Sequence, residues 1–171
     1  MSTKDRESSS FEKSKLSEID EQKIGIAVSE WNKDITSGLL EGAMEVLKSA
    51  GILSENIFVE YVPGSYELPL GAQFLLEYRM VDAVICLGCV IRGETAHFDF
   101  VCEACSQGVK DVGLKYNVPV MFGVLTDDNK EQSLARSGGK LGNKGAEAAN
   151  AALEMLSLKQ KLAKPKGKVG F

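Results

Sequence analysis

The chain has 171 residues and a formal net charge of −4 at pH 7, enough for one domain with tails and without the basic excess of a general nucleic-acid binder. No apolar run reaches the roughly 18 residues of a membrane helix, and the amino terminus shows no apolar segment of a secretory signal, so a cytoplasmic protein without membrane or nucleic-acid partners is expected. One histidine in the whole chain excludes a multi-histidine metal site within one subunit.

Residues 1–22 are polar and mixed in charge, with six serines from Ser2 to Ser17, and read as a disordered arm. Lys23 to Val28 is a short apolar strand, followed by Ser29-Glu30-Trp31-Asn32. Trp31, the only tryptophan, suits either stacking on a flat ring or packing. Ile35, Leu39, Ala43, Leu47 and Ala50 recur at helical spacing until Gly51 stops the helix. A second strand, Ile57 to Tyr61, leads into Pro63-Gly64-Ser65-Tyr66-Glu67. There Gly64 permits a sharp turn, Ser65 can cap, and Glu67 suits the positive end of the helix that runs to about Tyr78.

The third strand, Ala83 to Ile91, carries Cys86 and Cys89. With Cys102 and Cys105 they form two C-x-x-C pairs, the spacing of a four-cysteine zinc site. Residues three apart on a strand face opposite ways, so buried reduced thiols are expected and no metal. After this strand comes Arg92-Gly93-Glu94-Thr95-Ala96-His97, opening a helix expected from Thr95 to Tyr116. Free N–H groups at a helix start suit an anion. His97 in that first turn can accept and return a proton, or be structural. The fourth strand is expected over Val118 to Leu125, with Thr126 to Asn129 as the loop beyond it. A short helix, Glu131 to Arg136, precedes a glycine-rich connection whose Arg136, Lys140 and Lys144 could approach a phosphate or simply be solvated. A long alanine-rich helix follows from about Asn143 to Leu162, and 159–171 reads as a Lys-rich tail.

Strands alternating with helices imply an α/β three-layer fold, a four-stranded parallel sheet covered on both faces. Ligands of such sheets bind beyond the carboxyl ends of the strands.

Taken together, Gly88-Cys89-Val90-Ile91-Arg92-Gly93-Glu94-Thr95-Ala96-His97-Phe98, Val62 to Pro69, Phe122 to Thr126, Glu131 to Arg136 and Gly142 to Gly145 resemble the 6,7-dimethyl-8-ribityllumazine synthase family over about 23–158. The resemblance implies a flavodoxin-like domain that condenses 5-amino-6-(D-ribitylamino)uracil with 3,4-dihydroxy-2-butanone 4-phosphate, the penultimate step of riboflavin biosynthesis, without cofactor. By matching position, Trp31 stacks on the pyrimidine, and Ser65, Tyr66 and Glu67 hold the uracil substrate. Cys89, Val90 and Ile91 line its edge, Glu94 and Thr95 hold the phosphate through N–H groups, and His97 transfers protons. Phe122 and Arg136 come from the neighbouring subunit, with Lys140 a supporting charge. The resemblance also implies a homo-oligomer of pentamers, with the short Gly138 to Gly145 connection resembling relatives that close into a sixty-subunit icosahedral shell. Trp31 stands where the family more often has phenylalanine, Glu94 sets a carboxylate beside the phosphate loop, and Cys89 replaces a hydroxyl or small residue. A non-catalytic flavin-binding or shell-forming protein on the same fold is the alternative, but it has no need of His97, Arg136 and Lys140 together.

Overall fold

A computed structural model describes residues 11–163. Four parallel strands, β1 (Ile24–Ser29), β2 (Ile57–Val62), β3 (Ala83–Ile91) and β4 (Val120–Asp127), lie in the order β2-β1-β3-β4. The two central strands are rich in buried Ile and Val: β1 is buried at every position and β3 over its first seven. Helices α1 (Lys33–Ala50) and α5 (Lys144–Ala163) cover one face; α2 (Leu68–Phe74) and α3 (His97–Tyr116) cover the other. This is the flavodoxin-like arrangement expected. Ile24, Ile26, Ile85 and Leu87 point toward α1 and α5, whereas Ala27, Val84 and Cys86 point toward α2 and α3. That alternation is the two-residue period of a strand buried on both sides.

Several boundaries differ from the reading of the sequence. β4 runs on to Asp127, because Thr126 and Asp127 pair with Val90 and Ile91 of β3. α3 starts at His97 rather than Thr95, and the Thr95 hydroxyl instead accepts the His97 N–H at 3.4 Å. The connection after α4 (Lys130–Arg136) is a small antiparallel hairpin of β5 (Ser137–Gly139) and β6 (Gly142–Asn143). Gly138 at φ +114° and Gly142 at φ +81° supply its left-handed positions.

The arm expected to be disordered is ordered from Phe11 onward. Phe11 and Leu16 are buried in the cluster under α1 and α5. The Phe11 N–H donates to Asn150 Oδ1 at 3.2 Å, and the Ser17 hydroxyl donates to Gln160 Oε1 at 2.8 Å. Two apolar anchors in a polar stretch suffice once α5 offers a groove, which composition does not register. Residues 1–10 of the arm lie outside the described residues. Of the expected Lys-rich tail, Lys159 to Ala163 continue α5, and 164–171 lie outside the described residues.

α1 and α5 touch backbone to backbone. Asn143 caps α5, its Oδ1 accepting from the N–H groups of Gly145 at 2.8 Å and Ala146 at 3.2 Å, while its Nδ2 donates to the Gly38 carbonyl at 2.7 Å. A Cβ on Gly145 would stand 1.9 Å from the Leu39 carbonyl oxygen. Gly145→Ala is therefore expected to cost about 3 kcal/mol through overpacking against a rigid atom. Equilibrium denaturation checks this, and an unchanged midpoint would mean that the helices part freely there.

Candidate active site

The crossover from β1 leads out to β2 on one side, and those after it lead to β3 and β4 on the other. The crevice at the carboxyl ends of β1 and β3 is thus the topological switch point, where open α/β sheets bind ligands. A cavity of about 380 Å³ opens there, lined by Trp31, Ser65, Tyr66, Cys89, Val90, Ile91, Thr95 and His97, with Phe98 and Val101 of α3 below. Three turns from distant parts of the chain meet in it, each following a strand of the sheet.

Trp31 ends the β1 loop with its indole 71% exposed. Such a ring has an unused flat face beside a mostly apolar cavity, as stacking requires. The loop is pinned beneath it: Asn32, left-handed at φ 57°, donates from Nδ2 to the Cys89 carbonyl at 3.0 Å. Ser65 opens the turn after β2. Its hydroxyl was expected to cap the helix, but Ser65 Oγ is buried without a hydrogen-bond partner among the described residues. Leaving such a group unpaired is costly, and a polar ligand atom in the cavity would satisfy it. Glu67 shares that turn, half-buried, and Glu94 is exposed on the turn before α3; neither side chain lines the cavity.

His97 projects from the first residue of α3 into the cavity and is exposed to solvent. The preceding turn is braced by Arg92, which sequence reading passed over. Its guanidinium lies 4.1 Å above the Phe98 ring centroid and reaches Asp99 and Asp128, each at 3.2 Å. These are exposed pairs of small individual worth, but they tie the turn to both α3 and the end of β4.

The cysteines divide as strand geometry requires: Cys86 packs with α2 and α3, Cys89 with α1 and α5. Burial pushes the Cys89 thiol up to about 11. Cys105 is pushed up by burial to about 12. These are protonated thiols at neutral pH and poor nucleophiles or metal ligands.

Phe122, Arg136 and Lys140 do not join this cavity. Phe122 and Arg136 line a separate groove of about 520 Å³ along β4, with Lys144 and Glu147 beside them. Lys140 lies exposed at the tip of the hairpin.

The fold and this cavity define a flavodoxin-like α/β protein with a ligand-sized site at its switch point, formed from three strand-end turns. The sequence profile of 6,7-dimethyl-8-ribityllumazine synthase matches residues 21–160. The chain is 55% identical to the 6,7-dimethyl-8-ribityllumazine synthase of Cytophaga hutchinsonii, over 92% of this chain and 98% of the relative. It is 48% identical to the synthase of Parabacteroides distasonis, over 92% and 98% of the two chains. It is also 48% identical to that of Flavobacterium johnsoniae, over 94% of this chain and 84% of the relative. The chain belongs to the 6,7-dimethyl-8-ribityllumazine synthase family and is an enzyme of the transferase class. Among the described residues, no helix is long and apolar enough to cross a membrane.

Proposed function

We propose that the protein condenses 5-amino-6-(D-ribitylamino)uracil with 3,4-dihydroxy-2-butanone 4-phosphate to 6,7-dimethyl-8-ribityllumazine, the penultimate step of riboflavin biosynthesis. The observation that carries this is the cavity itself, which sets an exposed indole, a buried unpartnered hydroxyl and the single histidine around one ring-sized space. The substrate amine attacks the ketone and water leaves as the imine forms. Phosphate is then eliminated, and ring closure expels a second water. The nucleophile is the substrate's own amine and no electrons are exchanged with a carrier, so the reaction as written draws on no cofactor.

In this reading Trp31 stacks on the pyrimidine and Ser65 Oγ gains its missing partner from the uracil substrate. Tyr66 and Glu67 flank the ribityl chain, and the backbone of Cys89, Val90 and Ile91 borders the ring. Glu94 and Thr95 offer the phosphate their N–H groups, and His97 moves protons between the condensing atoms. Holding two reactants in a near-attack geometry supplies most of the acceleration. Phe122 and Arg136 serve the cavity of an adjacent subunit, with Lys140 a supporting charge; support for this is that Phe122 and Arg136 line a groove apart from their own cavity, so a site containing both groups needs a second copy. Family likeness favours a pentamer, with closure into a sixty-subunit shell as the larger form, in the cytoplasm.

Mixing the protein with both substrates is expected to yield the lumazine absorbance and free phosphate, at full rate in excess chelator. No product, or a rate abolished by chelator and restored by zinc, would overturn this reading.

A further inference from the structure

The reaction leaves one buried network without a task. Asp127, the last residue of β4, is 9% exposed and accepts from the Ser133 hydroxyl of α4, Oγ to Oδ2 2.8 Å. Ser133 Oγ is itself the acceptor for the Cys89 thiol at 3.3 Å. Both donors point the same way, so the hydrogen-bond chain ends on the Asp127 carboxylate. Its other oxygen, Oδ1, stands 3.7 Å from the Arg136 guanidinium. Arg136 also donates from the same Nη1 to the Gln132 carbonyl at 2.8 Å, so this end of the guanidinium is held by two partners, and Asp127 and Arg136 both line the groove along β4.

We propose that Asp127 is a positioning residue for the phosphate-binding Arg136, and that Ser133 and the Cys89 thiol hold the Asp127 carboxylate in place for that purpose. The inference rests on the reading that Arg136 binds the phosphate of the butanone substrate. An arginine recognises phosphate through a planar fork whose orientation decides the strength of the contact. A long side chain free in solution would lose rotamer freedom on binding. Here a carboxylate that is itself immobilised by a serine and a thiol sets the fork before substrate arrives. The arrangement also explains the polar residues at two positions that would otherwise be packing sites. Ser133 is 0% exposed, and Cys89 is 1% exposed with its thiol too basic to be used as a nucleophile.

The test is steady-state kinetics on the assembled protein, with inorganic phosphate as a competing probe. Asp127→Asn keeps the shape and removes the charge. It is expected to raise KM for the phosphate-bearing substrate and the inhibition constant of inorganic phosphate by roughly tenfold, the size of one charge-assisted contact. KM for the uracil substrate is expected to stay unchanged. Ser133→Ala, the milder variant should Asp127→Asn fold poorly, is expected to move the same two constants in the same direction by a smaller factor. In an Arg136→Ala background, Asp127→Asn is expected to have no further effect on the dissociation constant of inorganic phosphate measured by calorimetry, since its action passes through that arginine. Equal changes in both KM values, or a full additional loss in the Arg136→Ala background, would overturn the proposal and leave Asp127 a fold-stabilising residue. An inactive parent protein would instead overturn the underlying functional reading, so the two failures are told apart by the parent's own rate.

Discussion

His97→Ala is expected to lower kcat by roughly 10²–10⁴-fold, the usual worth of general acid–base catalysis, with a much smaller change in KM for either substrate. The side chain stands in the cavity at the start of α3, so it is within the site without being part of the core. Removing it opens no buried void, and thermal stability is expected to hold. The proposed condensation would pass through several proton transfers, at imine formation, at phosphate loss and at ring closure, and each would lose its positioned donor or acceptor. Activity is not expected to vanish, because a primary amine and a ketone condense slowly without help, and the variant still aligns them. Stopped-flow and steady-state rates at saturating substrates check this. A variant with the parent's kcat would make His97 a structural residue.

Arg136→Ala is expected to be comparably damaging, and together with His97→Ala it reports whether the site is shared. Each protein alone is expected to be nearly inactive. When the two are unfolded together and refolded into mixed rings, some sites would pair an intact His97 from one subunit with an intact Arg136 from its neighbour. Activity is expected to rise well above that of either parent. The separation seen within one protomer motivates the experiment: His97 lines the cavity at the ends of β1 and β3, whereas Arg136 and Phe122 line the groove along β4. A ring built by one repeated heterologous contact would bring the groove of each subunit to the cavity of the next. Verified mixed rings that stay as inactive as the parents would mean that both residues act within one subunit.

The alternation of apolar strands with 3.6-period helices was enough to determine the parallel sheet and its two covered faces. That signal is robust because the central strands β1 and β3 are buried and the helices bury one face each, and burial leaves a period in the sequence. The two-residue strand period likewise sufficed to separate Cys86 from Cys89, whose thiols pack on opposite faces of the sheet. The family likeness of several separate segments pointed to Trp31, Ser65, Cys89 and His97, and the structure gathers those residues around one cavity.

What depends on contacts between distant segments was not legible. Phe11 and Leu16 look like isolated apolar residues in a polar arm until α5 supplies the groove that buries them. Asp127 was read as a loop residue, since a strand's last positions are decided by the neighbouring strand, here by Val90 and Ile91 of β3, and not by its own composition. Its link to Ser133, Cys89 and Arg136 spans three elements and has no period at all. Only the folded chain shows that Ser65 Oγ is buried without a hydrogen-bond partner among the described residues rather than capping its helix. Local pattern is set by burial averaged over many residues, whereas a single hydrogen bond is set by the arrival of one partner from elsewhere, and that arrival belongs to the tertiary structure.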